Sequence, residues 1–194
     1  MSKAVMLSIR PKWVEKIASG EKTIEVRKTK PKLETPFKCY IYCTLPKYPH
    51  EDFIATDYPM PQFYGGGKVV GEFTCDQIID AWWDYVPDAI TREVTGGNLE
   101  ALDGIGMTDE ELFSYVGDSM RGHCYGWHIS DLRIYDAPKK LGEFWRDCLE
   151  YSELSTNCWS CENVCGDGDE TDCNTDGRLY LHRPPQSWCY VEEG

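Results

Sequence analysis

Residues 19–28 read S-G-E-K-T-I-E-V-R-K, and the interpretation of the whole chain starts from this stretch. It follows a short amphipathic pattern, begins beside a glycine and then alternates as a β-strand does. Because successive strand side chains point to opposite faces, Thr23, Glu25 and Arg27 are expected on one face and Lys22 on the other. A hydroxyl, a carboxylate and a guanidinium on one face are rarely needed by a structural strand. We therefore predict that this face lines a cleft and that the rest of the chain builds its walls.

The composition indicates a packed globule. The chain has 194 residues, 41% of them hydrophobic and 13% aromatic, which suits a single domain over residues 1–194. No apolar run approaches the roughly 20 residues of a membrane span, and the N-terminus lacks the apolar core of a signal peptide. These features predict a cytoplasmic protein without a membrane partner, whose ten cysteines are reduced. A secreted, disulfide-bonded scaffold is the alternative.

Charge is distributed unevenly along the chain. The formal net charge is −13, which argues against indiscriminate binding to phosphate backbones. Residues 1–38 nevertheless carry ten Lys and Arg against four Glu, a local charge of +6 that leaves −19 for the remainder. This basic N-terminal segment suggests a local anionic ligand. A solvated lysine-rich face explains the same pattern without a ligand.

Hydrophobic periodicity predicts a sequence of short elements. Thr108, with Glu111 three residues later, forms the capping-box pattern of a helix N-terminus, and Gly20 ends the first helix. Trp82 and Trp83 are either core side chains or stacking surfaces for a base, and residues 45–67 are a loop. The strands are predicted at 4–9, 19–28, 37–44, 68–79, 125–135 and 188–191, and the helices at 11–20, 108–116 and 141–151. This order predicts an α+β fold built on a small, mostly antiparallel β-barrel.

Several of these stretches together resemble an ASCH domain. They are S-I-R-P at 8–11, S-G-E-K-T-I-E-V-R at 19–27, G-K-V-V-G-E-F at 67–73 and Y-G-W-H-I at 125–129. The G-x-K-x-x-E-x-R core of that family falls on Gly20, Lys22, Glu25 and Arg27. The resemblance covers about residues 3–135 and the closing strand. It implies a PUA-like β-barrel with a cleft beside the N-terminal helix, and RNA or nucleotide binding in that cleft.

Some small proteins of this kind are amidohydrolases that act on acetylcytidine nucleosides, with a K-x-x-T-x-R motif and a more distant glutamate. Lys22 and Arg27 match that motif, but Glu25 occupies the threonine position. The region where the glutamate is expected holds residues 104–106, G-I-G, with Asp103 as the nearest acid. If the chain is a hydrolase, Lys22 and Glu25 are the candidate catalytic residues.

The sequence thus favours non-catalytic binding of RNA or a nucleotide-like ligand. Lysine and arginine suit phosphate or a base edge, and aromatic rings suit stacking on a base. The predicted ligand-binding residues are Ser8, Lys22, Glu25, Arg27, Tyr125 and Trp127. Two alternatives stay open, namely amide hydrolysis on acylated nucleosides and a protein–protein module whose acidic body mimics nucleic acid.

A cysteine-rich insertion at about 154–178 precedes the last strand. Cys158, Cys161, Cys165 and Cys173 lie among Gly, Asp and Asn residues, with few apolar side chains to support folding. Four thiolates at such spacing predict a structural zinc ion. Disulfides or a reduced loop are the alternatives, and Cys148 and Cys189 could substitute in the ligand set. Four further cysteines, at 39, 43, 75 and 124, fall on predicted strands and are expected in the core.

Overall fold

The computed structural model describes residues 3–45, 65–85, 94–117, 121–147 and 178–192. The strands are β1 (Lys3–Ile9), β2 (Ile24–Arg27), β3 (Phe37–Cys43), β4 (Lys68–Tyr85), β5 (Val94–Gly97), β6 (Arg121–Lys140), β7 (Trp145–Asp147), β8 (Arg178–Tyr180) and β9 (Trp188–Glu192). The α-helices are α1 (Pro11–Ala18) and α2 (Asp109–Val116), and two short 3₁₀ helices span Leu99–Leu102 and Leu141–Glu143.

Seven of the strands form one sheet in the order β2-β6-β4-β3-β1-β9, with β5 beside the far end of β4. β1 and β3 are parallel and the other neighbours are antiparallel. This confirms the prediction of a mostly antiparallel α+β fold. Within the described residues the backbone pairing leaves β2 and β9 at opposite ends of the sheet. Closure into a barrel therefore stays a prediction.

Local signals fix the helix boundaries. α1 starts with Pro11, whose missing N–H is no loss at a helix N-terminus, and the chain turns at Gly20 with a φ of 79°. At α2, Thr108 Oγ1 accepts a hydrogen bond from the Glu111 amide and the Glu111 side chain accepts one from the Thr108 amide. The predicted capping box is confirmed.

Three elements differ clearly from the sequence-based prediction. β4 and β6 run well past their predicted ends, because they pair with each other as far as Asp84 and Arg121. The α-helix predicted at 141–151 is wrong for residues 141–147, which form a short 3₁₀ helix and strand β7. Residues 148–151 lie outside the described part of the chain. Phe144 packs edge-on against Tyr40 at 4.8 Å, and β7 pairs with β8. Tertiary packing overrides the helical pattern in this segment.

The sheet has apolar contacts on both faces. Val14 and Ile17 of α1 pack on β1 and β3, while Leu112 and Phe113 of α2 pack against the opposite face of β2, β4 and β6. The four cysteines predicted in the core are buried free thiols, at positions Cys39, Cys43, Cys75 and Cys124. Burial raises the pKa of the Cys75 thiol on β4 to about 12 and that of the Cys124 thiol on β6 to about 11.

The proposed zinc ligands Cys158, Cys161, Cys165 and Cys173 lie outside the described residues, so zinc stays a prediction. In the part of the chain that the structure describes, no group of three or more His, Cys, Asp or Glu side chains could hold a metal ion. None of the described helices combines the length and the apolar character that a membrane crossing requires.

One glycine of β6 makes room for a core tryptophan. A Cβ atom on Gly122 would lie 2.0 Å from Cε2 of the fully buried Trp83, which faces it across the β4–β6 pair. Gly96 in β5 has nothing within 4 Å of the same position. Trp83 therefore fills the space that any other side chain at position 122 would need.

We expect Gly122→Ala to lower the free energy of unfolding by about 1–3 kcal/mol, because the added methyl group forces Trp83 and its neighbours to shift. Gly96→Ala is the matched strand control and should be nearly neutral. Urea denaturation of the three proteins measures the difference. Equal stability of the two variants would contradict the packing described here.

Candidate functional site

Three ionisable side chains around β2 converge inside the protein. Lys22 Nζ lies 3.4 Å from Glu25 Oε2, and Glu25 Oε1 lies 3.0 Å from Arg27 Nη2. All three side chains are less than a tenth exposed. We call this group the buried ionic cluster. Ionised side chains are almost never this deeply buried unless they are paired or serve a function.

Arg27 ties the two ends of the sheet together. From β2, its Nη2 donates to the Ser8 carbonyl of β1 at 2.9 Å, and its Nη1 donates to the Ser187 carbonyl at 3.1 Å and to Ser187 Oγ at 3.2 Å. Ser187 directly precedes β9. Beside this link, Trp188 Nε1 donates to Thr29 Oγ1 at 3.0 Å. Side chains thus connect β2 to β1 and β9, where the backbone pairing does not.

Lys22 is held by the segment at 104–106. Its Nζ donates to the Ile105 carbonyl at 2.7 Å, and the amides of Thr23 and Ile24 donate to the Gly104 carbonyl at 2.8 and 3.2 Å. Gly104 and Gly106 permit the approach, since both have positive φ angles and a Cβ on Gly104 would lie 2.3 Å from Thr23 Oγ1. A backbone carbonyl therefore contacts Lys22 in the segment where the hydrolase motif would have its glutamate.

The structure corrects two predictions about the site. Lys22 precedes β2, so its side chain does not follow the strand alternation and points to Glu25 rather than away from it. Thr23, expected beside Glu25, is exposed. The predicted open hollow around the three groups is also wrong, because the carbonyls of Ser8, Ile105 and Ser187 cover them.

The cluster contains two cations for one carboxylate. Desolvation lowers the pKa of Lys22 below its usual value and outweighs the opposing effect of Glu25, while the charges of Arg27 and Lys16 lower it further. Among the described residues, no hydrogen-bond partner reaches the buried Arg27 Nε. With all three groups ionised, the cluster keeps one positive charge that no side chain within it neutralises.

A rim of aromatic and basic side chains lies next to the cluster. Tyr125 faces Arg27 across the β2–β6 pair, and Lys30 Nζ lies 5.0 Å from the centre of its ring. Lys28 Nζ lies 5.4 Å from the ring centre of Tyr115, on α2. We call these four residues the basic rim. Tyr115 and Tyr125 are partly accessible, and both lysines are exposed.

Two predicted ligand-binding residues have structural contacts instead. Trp127 is fully buried and packs edge-on against Phe37 at 5.7 Å, so its ring has no face free for a base. The prediction that Trp127 stacks on a ligand is therefore wrong. Ser8 Oγ donates to the Pro185 carbonyl at 2.6 Å, and its own carbonyl accepts from Arg27. Ser8 thus belongs to the contacts that hold Arg27.

Sequence reasoning missed two residues of this region. Ser187 reaches Arg27 from a segment 160 positions away, and no local pattern marks it. Tyr115 was predicted within a helix but not at the site. Burial raises the pKa of its hydroxyl while the charge of Arg27 opposes the rise, which places this hydroxyl within electrostatic reach of the cluster. The apolar spacing of α2 gave no signal for that position.

Comparison of the sequence with protein-family models gives no match, and comparison with curated proteins gives none either. Comparison of the fold with solved structures gives matches. The ASCH protein from Zymomonas mobilis is 15% identical with a TM-score of 0.51, over 98% of this chain and 88% of that one. A serine-to-alanine mutant of the same protein is 14% identical with a TM-score of 0.51, over 98% and 89%. The chain therefore has the fold of an ASCH domain.

Proposed function

We propose that this protein binds an RNA or nucleotide-like ligand at the basic rim, without chemical change to the ligand. The observation that carries the proposal is the unbalanced buried ionic cluster beneath that rim. Two cations share one carboxylate in a region of low dielectric, where charges are screened less than in water. The resulting positive potential favours a phosphate at the surface beside Arg27.

The rim supplies groups that suit both parts of a nucleotide. Lys28 and Lys30 are exposed cations that can contact phosphate oxygens. Tyr115 and Tyr125 offer partly accessible rings, and base–aromatic stacking contributes about 1–3 kcal/mol per base. In this account, Lys22, Glu25 and Arg27 act mainly by holding β2 in place and by their charge. Ser8 and Ser187 position Arg27.

The local charge also fits the overall acidity of the chain. A net charge of −13 opposes non-specific attachment to nucleic acid, so a phosphate would be attracted where the basic N-terminal segment forms the surface. The ASCH-domain fold agrees with this proposal in general terms. Fold alone does not imply function, and the charge of the cluster and the side chains of its rim support the proposal.

Amide hydrolysis is the second candidate, and the lowered pKa of Lys22 favours it. An amine that loses its proton more readily than usual can serve as a general base. The surrounding groups oppose this role. Thr23 is exposed away from Lys22, and the Ile105 carbonyl lies at 2.7 Å from Nζ, where a carboxylate partner would have been needed.

The binding proposal predicts that Lys28→Met/Lys30→Met weakens binding of a short single-stranded RNA and makes it less dependent on salt. Losing two phosphate contacts should reduce the slope of log K against log salt by roughly 1.4, at about 0.7 per contact. Fluorescence polarisation with a labelled oligonucleotide, at several salt concentrations, measures both quantities.

Lys139→Met is the matched control for Lys30, because Lys139 Nζ lies 4.9 Å from the Tyr135 ring centre in an equivalent lysine–tyrosine pair far from β2. It should bind as the wild type does. Equal loss of affinity in the control, or unchanged binding in the rim variant, would refute a ligand site at the rim.

The same proposal predicts that the wild-type protein releases no acetate from N4-acetylcytidine above the background rate, since among the described residues no hydroxyl nucleophile or second carboxylate contacts Lys22. Acetate is measured after prolonged incubation at high protein concentration. If the wild type releases acetate and Lys22→Met does not, the binding proposal is wrong and the site catalyses hydrolysis.

A further inference from the structure

Tyr125 of the basic rim is the first member of a longer row of ring side chains on one face of the sheet. Along β6, His123 is two residues away, and across the β4–β6 pair Trp82 lies directly opposite His123. Residues two apart on a strand, and residues directly opposite on neighbouring strands, share a face. We call Tyr125, His123 and Trp82 the aromatic strip.

The strip leads from the buried ionic cluster to open solvent. Tyr125 and His123 meet edge to face, with 4.8 Å between ring centres. Trp82 is 43% exposed, whereas the adjacent Trp83 is fully buried on the opposite face. Trp82, His123, Asp84 and Arg121 line a shallow depression of about 420 Å³ at the end of the strip. A single exposed apolar side chain is ordinary on a protein surface, whereas a continuous row of accessible rings beside a depression is a feature typical of a contact surface.

The backbone beneath Trp82 is fixed before any ligand binds. Asn98 Oδ1 accepts from the Trp82 amide at 2.9 Å, and Asn98 Nδ2 donates to the Asp80 carbonyl at 2.9 Å. On the opposite face, Gly122 lets Trp83 lie flat in the core. Since neighbouring strand residues face opposite ways, burial of Trp83 forces Trp82 outward. These hydrogen bonds hold the backbone of Trp82, so its ring projects from a fixed position on the sheet.

Charges along the strip are paired rather than uniformly basic. His123 Nε2 lies 2.7 Å from Asp80 Oδ1, and Arg121 Nε donates to Asp84 Oδ1 at 2.7 Å. Paired carboxylates do not attract a phosphate. The strip therefore suits the bases of a strand whose phosphates contact Lys30 beside Tyr125.

We infer that the aromatic strip extends the proposed site, so that the ligand is a single-stranded oligonucleotide and not a free nucleotide, with one base on Tyr125 and a later base on Trp82. This inference rests on the proposed function, because Tyr125 belongs to both. The supporting facts are the continuity of the face from Arg27 to Trp82 and the accessible indole. Stacking on such rings is tolerant of base sequence.

The test compares uridine monophosphate with uridylate oligomers of three and six nucleotides, titrated against the wild type, Trp82→Ala and Trp82→Phe. Wild-type affinity should rise with length. Trp82→Ala should lose about tenfold in affinity for the hexamer, within the range of one stacked base, and bind the monophosphate unchanged. Trp82→Phe, which keeps a ring, should retain most of the gain. Thermal melting of each variant checks folding.

Leu45→Ala is the control for loss of an exposed apolar side chain, since Leu45 is 68% exposed and lies outside the strip. It should bind the hexamer as the wild type does. If Trp82→Ala also binds the hexamer normally while Lys28→Met/Lys30→Met does not, the strip is not part of the site and the inference alone falls. If the wild type binds neither monophosphate nor oligomers, the inference and the proposed function fall together.

Discussion

The fold depends on the guanidinium of Arg27, which joins β2 and β9, the two end strands of the sheet order. It spans from β2 to the carbonyls of Ser8 and Ser187 and pairs with Glu25 in the same place. A planar fork with several donors can make these contacts at once, and a lysine cannot. One side chain therefore links β2 to β1 and to the segment before β9, and it also supplies positive charge to the proposed site. Buried ion pairs give little net stability, which suggests that this one is retained for specificity or function.

Local sequence signals predicted the elements whose stability is local. The capping box at Thr108 and Glu111, the proline that begins α1 and the core cysteines were confirmed. The lengths of β4 and β6 were not predictable, because each strand is extended by pairing with the other rather than by its own pattern. The same holds for residues 141–147, where contacts with β8 and Tyr40 override a helical periodicity.

Three of the residues predicted at the site lie close together, but their surroundings differ from the prediction. Lys22, Glu25 and Arg27 converge, but their burial arises from the carbonyls of residues distant in sequence, such as Ile105 and Ser187, which no motif records. Strand alternation also failed for Lys22, since the strand begins two residues later. Trp82 and Trp83 lie beyond the predicted strand at 68–79, so no face was predicted for either of them. Which of them faces solvent depends on the space above Gly122, and that space is a tertiary property.

The most direct test of this account is backbone amide hydrogen exchange in the wild type and in Arg27→Met. If Arg27 holds the ends of the sheet together, its loss should speed exchange in the two end strands β2 and β9, at residues 24–27 and 188–192. The central β3–β4 pair should keep most of its protection, since its partners do not depend on the guanidinium. Uniform acceleration in all strands, or no change in β9, would contradict the claim that Arg27 links the two ends of the sheet.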